Sequence, residues 1–333
     1  MTRVHGDIGS LYPYLKGPFR RMVRLKKEPD LYVTRLSGSH TVYLIKDRRS
    51  HKRFILKSFH MPGLPSSIAD QRMNKEYGRL KKFERLGIDE SWFKVVKPLG
   101  KNESGQFFVE KYVSGESLSA GIRNAFENND HKALYDKLTI FAGYLALVHK
   151  KTRRSSHVRV ASIRKELHEH TAQSYAAGAL GRMDLDKTKL LVDRACSYPF
   201  IRDAHRCLVH GDANPSNFLF EDSHMNVIDV ERSGYKDPVY DLGTMAGELF
   251  HYAMQYAGNP YKADPFIGHM YWVYSGNFAD QYAKFLKLTK RNPLYMANSL
   301  FRISRNAGLT DAHRQRLAYY AVECLKSIGE SNR

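Results

Sequence analysis

The stretch VHGDANPSNFLFEDSHMNVIDVE, residues 209–231, places three oxygen-bearing side chains around short apolar segments. Asp212 follows an apolar segment, Asn217 stands five residues later, and Asp229 ends the run NVI twelve residues after Asn217. Phosphoryl transfer needs one carboxylate to orient the attacking hydroxyl, and a second carboxylate with a carboxamide to hold Mg²⁺ on the phosphates of ATP. The spacing therefore predicts a catalytic loop in which Asp212 takes the first role and Asn217 and Asp229 take the second.

The tetrapeptide VHGD occurs a second time, at residues 4–7. The position five residues after Asp7 is Tyr12, and the sequence that follows is polar and basic, without an apolar strand that ends in a carboxylate. We therefore expect this copy to be a coincidence in a flanking segment, and Asp7 to take no part in catalysis.

The first third of the chain predicts a small β-rich region. The segments LYVTRL, TVYLI and RFILKSF, within residues 31–59, are separated by the turn-forming runs SGSH and KDRRSHK. Residues 66–87 carry apolar side chains at helical spacing and end at Gly87. Two further strand-like stretches follow, at residues 93–100 and 106–113. The predicted order is three strands, one helix and two strands.

Helical patterns dominate the remainder, as in ALYDKLTIFAGYLALVHK at residues 133–150. We therefore predict an α+β chain with three parts. Residues 1–30 form a basic N-terminal flank, residues 31–112 a small β-rich N-lobe with one helix, and residues 113–333 a larger, mostly helical C-lobe.

The stretch from Val209 to Gly243, which ends in YKDPVYDLG, resembles the catalytic core of the aminoglycoside phosphotransferase and choline kinase superfamily. The resemblance implies a bilobal protein-kinase-like fold, ATP and Mg²⁺ as cofactors, and a hydroxyl-bearing acceptor. It implies that Asp212 is the catalytic base, that Asn217 and Asp229 bind Mg²⁺, and that His210 braces the loop.

The same resemblance extends to two further acids. Asp241 resembles the aspartate at a helix start that hydrogen-bonds the backbone of the catalytic loop. Glu231 stands where protein kinases carry the glycine of Asp-Phe-Gly, whereas the small-molecule branch usually has IDxE. This difference argues against an ordinary protein kinase.

The family pattern also requires nucleotide-binding residues in the N-lobe. Lys57 on the third strand is the candidate for the α- and β-phosphates, and Glu76 on the following helix would hold that lysine. The residues that would cover the phosphates and bond adenine through the hinge backbone are Ser37, Gly38, Ser39, Glu110 and Tyr112.

Two C-lobe segments are candidates for the acceptor site. Residues 263–278 include His269 and Tyr274, and aromatic faces suit sugar rings. Arg302 and Arg305 lie three residues apart in the segment 293–309, and paired arginines suit phosphate or carboxylate. The alternative is that the aromatic side chains lie in the core and the arginines are solvated.

The net charge of +19 comes from 53 basic and 34 acidic residues, and residues 1–57 alone contain 14 basic and 4 acidic side chains. Such a field favours anionic partners, among them an anionic macromolecule or a membrane surface. A solvated basic surface is the alternative. Because aminoglycosides are polycations, the charge argues against an antibiotic-modifying enzyme.

We therefore expect an ATP-dependent kinase of a hydroxyl on a small polar, anionic or sugar-like metabolite. Two alternatives are kept: a kinase with a macromolecular acceptor such as RNA, a glycolipid or a protein, and a nucleotide-binding pseudokinase. Three cysteines fit a reducing compartment without disulfides, so a cytoplasmic location is expected, and no stable protein partner is implied.

Overall fold

The computed structural model of the protein describes residues 3–6, 8–36, 41–61, 63–88, 90 and 92–330. The chain divides into two compact units. The first contains Met1–Gly115 and Asn226–Glu231, and the second contains Glu116–Met225 and Arg232–Arg333. The predicted phosphate-covering residues Ser37, Gly38 and Ser39, and also Asp7, lie outside the described residues.

The strands of the first unit are β1 (Arg3–His5), β2 (Asp30–Leu36), β3 (Thr41–Asp47), β4 (Arg53–Ser58), β5 (Phe93–Val95), β6 (Pro98–Asn102) and β7 (Phe107–Lys111). Six of them form a sheet in the order β1-β2-β3-β4-β7-β6, in which β1 is the parallel neighbour of β2. The strand predicted over residues 93–100 is divided in two. The Val96 N–H donates to the Val227 carbonyl at 2.9 Å, whereas residues from Pro98 onward pair with β7.

Apolar side chains between Ile8 and Leu25 belong to the core of the first unit. Two short helices, α1 (Tyr12–Lys16) and α2 (Pro18–Met22), bury Leu15 and Phe19 completely. The Phe19 ring meets the Phe54 ring of β4 edge-on, with centroids 5.5 Å apart. The predicted boundary at residue 30 therefore does not separate a flank from the sheet, because the apolar residues that alternate with the basic ones pack against the sheet.

Helix α3 (Ser66–Arg85) follows the sheet strands, as its apolar spacing predicts. Its buried stripe contains Ala69, Met73, Leu80 and Phe83, and Glu76 lies in the middle of that stripe. A carboxylate buried among apolar side chains is costly unless it is paired, so this position requires a cationic partner.

The second unit is mainly helical. Its helices are α4 (Leu118–Asn128), α5 (His131–Thr152), α6 (Val160–Ala176), α7 (Arg182–Ser197), α8 (Pro199–Arg202), α9 (Val239–Tyr256), α10 (Asp264–Ser275), α11 (Gln281–Thr289), α12 (Asn292–Ser304) and α13 (Asp311–Glu330). Its strands are β8 (Glu116–Ser117), β9 (Cys207–Val209), β10 (Phe218–Glu221), β11 (His224–Val227) and β12 (Gly234–Lys236). The chain passes into the first unit within β11. Strand β9 pairs with β12, and β8 pairs with β10, both antiparallel.

Close contact between α9 and α12 positions the functional side chains of the second unit. A Cβ atom at Gly243 of α9 would collide with the Cβ of Tyr295, and one at Gly247 would lie 2.6 Å from the Cβ of Ser299. Glycine at these two positions lets the helix backbones approach each other. Among the described residues, no helix has both the length and the apolar character needed to cross a membrane.

Candidate active site

The second VHGD forms a sharp turn directly after β9. Gly211 has a φ of +82°, and a Cβ atom there would collide with the carbonyl oxygen of Arg232. Only glycine combines this left-handed backbone with so close an approach at low cost. The turn ends the apolar strand and carries Asp212 beyond it.

Asp241, in the first turn of α9, holds the backbone of this turn. Its Oδ2 accepts from the His210 N–H at 2.7 Å, and its Oδ1 accepts from the Gly211 N–H at 3.0 Å. Burial acts to raise the pKa of Asp241, but His149, whose Nε2 lies 3.6 Å from Oδ2, and the loop donors hold that pKa below its ordinary value. A buried, charged carboxylate therefore fixes the backbone of the predicted catalytic loop.

Asp212 and Asn217 are tied together within the loop. The Asn217 Nδ2 donates to the main-chain oxygen of Asp212 at 3.0 Å, which leaves the carboxylate of Asp212 for other partners. Arg302 Nη1 donates to Oδ1 at 3.1 Å, and Arg232 Nε lies 3.7 Å from Oδ2. The Asp212 side chain is 19% exposed, so a ligand can still reach it.

Arg302 links Asp212 to a second, buried acid. Its Nη2 donates to Glu248 Oε1 at 2.6 Å. Burial would lower the pKa of Arg302, but Glu248 and Asp212 outweigh that effect and raise it, so the guanidinium stays charged. Arg302 is thus a partner of the predicted base, a contact that the sequence pattern did not reveal.

A polar cavity of about 400 Å³ opens beside Asp212 within the second unit. It is lined by residues of α6, β12, α9 and α12 as well as the loop itself. Four cationic side chains line the cavity, against three acids including Asp212; the cations are Lys165, Arg232, Lys236 and Arg302.

Glu166 of α6 organises the wall of this cavity. Its Oε2 accepts from Lys236 Nζ at 3.0 Å, and its Oε1 accepts from Asn298 Nδ2 at 3.2 Å and from the Tyr240 hydroxyl. Burial would raise the pKa of Glu166, but Lys236 and these donors hold it below its ordinary value. Sequence analysis missed this network because its members are far apart in the chain, although Lys236 and Tyr240 lie within the recognised motif.

Three of the four residues predicted to contact the acceptor lie elsewhere. Tyr274 is fully buried, and its hydroxyl is 2.9 Å from Nδ1 of His149. His269 is 2.8 Å from Thr139 Oγ1, outside the cavity lining, and Arg305 donates to Gln173. The prediction was wrong for Tyr274, because its helical spacing reflects burial in the core, the alternative considered above.

In the first unit, Lys57 of β4 is surrounded by carboxylates. Its Nζ lies 2.8 Å from Glu76 Oε1 and 3.2 Å from Asp229 Oδ1. Burial would lower the pKa of Lys57, but Glu110, Asp229 and Glu76 outweigh it and raise that pKa. The lysine is therefore a fixed positive charge, and it is the cationic partner that the buried Glu76 requires.

The two predicted hinge residues occupy different environments. Glu110 lies inside β7, aligned with Ile55 of β4 on one side and Pro98 of β6 on the other, and its side chain is buried. This position corrects the expectation that its main chain bonds adenine, because both edges of β7 are already paired. Tyr112 follows the end of the strand, and its ring packs against the guanidinium of Arg53 at 4.1 Å.

The IDxE segment places a second acid, Glu231, beside Asp229 and Glu76. Asp229 adopts a left-handed φ of +58°, and one carboxylate oxygen each of Asp229, Glu231 and Glu76 lie within 4.8 Å of one another. Hard carboxylate oxygens in this arrangement fit Mg²⁺, which prefers oxygen ligands. The donor chemistry of the first unit thus suits the predicted metal.

Solved structures with the same fold support the α+β assignment. A choline kinase from Cryptosporidium parvum Iowa II superposes with a TM-score of 0.61 at 12% identity, covering 96% of this chain and 95% of that chain. An ethanolamine kinase from Plasmodium vivax gives 0.58 at 14% identity, with coverage of 97% and 89%. The GDP complex of wild-type aminoglycoside 2'-phosphotransferase-IIIa gives 0.55 at 15% identity, with coverage of 98% and 100%.

These similarities confirm the predicted fold class, a β-rich N-terminal part followed by a helical C-terminal part. A comparison with curated protein sequences found no match. The model of the phosphotransferase enzyme family matches residues 33–264, more than half of the chain, and this match confirms the predicted superfamily and the predicted enzyme class. The chain belongs to the phosphotransferase enzyme family.

Proposed function

We propose that the protein is an ATP-dependent kinase that transfers the γ-phosphate to a hydroxyl of a small polar, anionic or sugar-like metabolite. The observation that carries this proposal is the position of Asp212 at a cavity of about 400 Å³ whose wall is polar and carries four cationic side chains against three acids. A cavity of this size suits a small molecule. It favours a metabolite over the macromolecular acceptors considered from the sequence.

Asp212 acts as the residue that orients the acceptor hydroxyl and receives its proton. Its Oδ1 and Oδ2 are held by Arg302 and Arg232, so the carboxylate has a defined direction at the cavity. Arg302 keeps positive charge beside the reacting oxygens, where negative charge accumulates in the transition state. The clamp of Asp241 on the loop backbone fixes the position from which Asp212 works.

Lys57 binds the α- and β-phosphates of ATP, and Glu76 holds the lysine for that role. Asp229 and Asn217 are the proposed Mg²⁺ ligands, with Glu231 as a nearby carboxylate. When bound, Mg²⁺ neutralises charge on the transferred phosphoryl group. Glu110 supports the site through its charge on Lys57. The presence of all these residues favours an active enzyme over a pseudokinase.

The nucleotide part of the proposal is tested by thermal unfolding with Mg-ATP. A ligand that binds the folded state raises the melting temperature as its concentration exceeds the dissociation constant. We expect a saturable rise for the wild-type protein and a smaller one for Asp229→Ala. The absence of a rise at millimolar Mg-ATP, or an equal rise in both proteins, contradicts the assignment.

The acceptor class is tested by incubating the protein with γ-labelled ATP and separate pools of metabolites, RNA, lipids and proteins. We expect label to enter the anionic and sugar fractions of the metabolite pool with wild-type protein and not with Asp212→Asn. Label confined to RNA, lipid or protein would instead establish a macromolecular acceptor.

A further inference from the structure

A second cavity of about 240 Å³ adjoins the acceptor cavity in the second unit. Five residues line both cavities, namely Ser162, Glu166, Lys236, Tyr240 and Asn298. The two spaces therefore share one wall, which places the second cavity beside the one that contains Asp212. The proposed reaction by itself assigns no role to this space.

The second cavity carries two guanidinium groups that the acceptor cavity lacks. These belong to Arg159, just before α6, and Arg206, just before β9. The Arg206 guanidinium donates hydrogen bonds to an uncharged group, because its Nε and Nη2 lie 3.2 and 2.7 Å from the hydroxyl oxygen of Ser156. Within the described part of the chain, neither Arg159 nor Arg206 forms an ion pair with a carboxylate.

The acids of this cavity are already engaged by other residues. Glu166 accepts hydrogen bonds on both oxygens from its own network. Asp237 is only 1% exposed, lies 3.0 Å from Arg291 Nε and accepts from the Val239 N–H at 2.8 Å. The charges of Arg159 and Arg206 are therefore in excess, and the cavity favours an anionic ligand.

The two arginines stand on a rigid support. The segments before α6 and before β9 pair through their backbones, with Arg154 N–H donating to the Arg206 carbonyl at 2.8 Å and Arg206 N–H donating to the Ser156 carbonyl at 3.0 Å. Val158 N–H donates to the Ala204 carbonyl at 2.9 Å in the same ribbon. The Arg206 guanidinium is also bonded to Ser156 Oγ and is therefore preorganised, which lowers the entropic cost of binding, whereas the Arg159 side chain is exposed.

We infer that this second cavity binds a phosphate ester on the acceptor, so that the substrate is a molecule that is already phosphorylated. Guanidinium groups suit phosphate because they donate parallel hydrogen bonds with a full charge. Arg159 and Arg206 are then the specificity-determining residues, because Lys236 at the shared wall is already paired with Glu166. The inference rests on the proposed function, since it assumes that the hydroxyl of the same molecule reacts at Asp212.

Inorganic phosphate is the first probe, titrated in thermal unfolding experiments at constant ionic strength with the protein saturated by Mg-ADP. We expect a saturable rise in melting temperature for the wild-type protein. In Arg159→Gln/Arg206→Gln the apparent dissociation constant should increase by about tenfold or more, as expected for the loss of charge-assisted hydrogen bonds.

The matched control is Arg153→Gln/Arg202→Gln, which removes two exposed charges near the same ribbon but outside both cavities. It should bind phosphate like the wild type. No saturable effect in the wild-type protein, or an equal loss in both double variants, overturns the inference. The effect of Mg-ADP itself, measured without phosphate, reports separately on nucleotide binding and hence on the proposed function.

A turnover experiment gives the second test, with matched pairs of acceptors such as glycerol and glycerol 3-phosphate, or glucose and glucose 6-phosphate. We expect the phosphorylated members to be preferred through a lower KM, and Arg159→Gln/Arg206→Gln to lose that preference with kcat little changed. Preference for the neutral members, or for carboxylated analogues over phosphorylated ones, contradicts a phosphate subsite.

Discussion

The two VHGD tetrapeptides are identical in sequence and share one local feature, a glycine in the left-handed region. Gly6 has a φ of +107° and Gly211 a φ of +82°, and a Cβ atom at either would collide with a carbonyl oxygen, of Val33 or of Arg232. In both copies the glycine therefore allows a tight approach to a neighbouring backbone. Its chemistry depends on what surrounds that turn.

The surroundings of the two histidines differ strongly. His5 belongs to β1, is exposed, stacks on Tyr32 with centroids 4.4 Å apart and lies 2.9 Å from Asp30. His210 is only 1% exposed, and its main-chain N–H donates a hydrogen bond to the buried carboxylate of Asp241. One copy joins the edge strand of a sheet, whereas the other is fixed from within the core. The comparison shows that partners distant in the chain distinguish a structural tetrapeptide from a candidate catalytic one.

The largest expected difference between the copies concerns their aspartates. A positioned base contributes on the order of 10²–10⁴ in rate, roughly 3–5 kcal/mol of barrier, so Asp212→Asn should lower kcat by that factor with ATP affinity little changed. Asp7→Asn should keep kcat within about twofold, because Asp7 has neither an asparagine five residues later nor a downstream apolar strand that ends in a carboxylate. Steady-state kinetics and circular dichroism of both variants provide the check. If Asp7→Asn were inactive and Asp212→Asn active, our assignment of the two copies would be reversed.

The second difference concerns the carboxylate that holds each copy. Asp241→Asn leaves one buried loop N–H without its acceptor, which should cost about 1–3 kcal/mol of unfolding free energy and lower kcat as Asp212 shifts. Asp30→Asn weakens a partly exposed contact with His5 and should cost at most about 1 kcal/mol, with kcat unchanged. Urea denaturation gives both free energies. Equal losses in the two variants would argue against a special role for Asp241.

The third prediction tests the feature that the copies share. Gly6→Ala and Gly211→Ala should each destabilise the fold by at least about 1–3 kcal/mol, since alanine in the left-handed region is strained and its Cβ would also collide with a carbonyl oxygen. The folded fraction of Gly6→Ala should retain normal kcat, whereas that of Gly211→Ala should be impaired because the turn carries Asp212. Activity normalised to the folded fraction, measured at low temperature, separates stability from catalysis. Normal activity in Gly211→Ala would show that the loop tolerates a shift of the turn.

The smallest effect is expected for the exposed histidine. His5→Ala removes a surface pair with Asp30 and a ring contact with Tyr32, and should change the unfolding free energy by less than about 1 kcal/mol, with unchanged kcat. Thermal denaturation is the measurement. A loss several times larger would mean that the first copy stabilises the protein more than its exposure indicates.

Much of the fold could be predicted because burial repeats with the period of the local structure. The strands β2, β3 and β4 and the helix α3 follow the predicted segments closely. The N-terminal segment was different, since its apolar residues are interspersed with arginines and lysines and show no period long enough to predict packing. Only the packing of α1 and α2 with the side chains of the sheet makes Leu15 and Phe19 part of the core.

The site residues divide in the same way. The sequence alone predicted which side chains could perform phosphoryl transfer, because Asp212, Asn217 and Asp229 stand in one short motif and their spacing is a local property. Only tertiary structure decided the contact of Arg302 with Asp212 and the buried position of Glu110 within β7. The same holds for the wall that Glu166 builds with Lys236. These pairs join residues far apart in the chain, and the free energy of burying a charge depends on which partner the packing of whole helices and strands brings within reach. No period or spacing in the sequence encodes how close such partners lie in the folded protein.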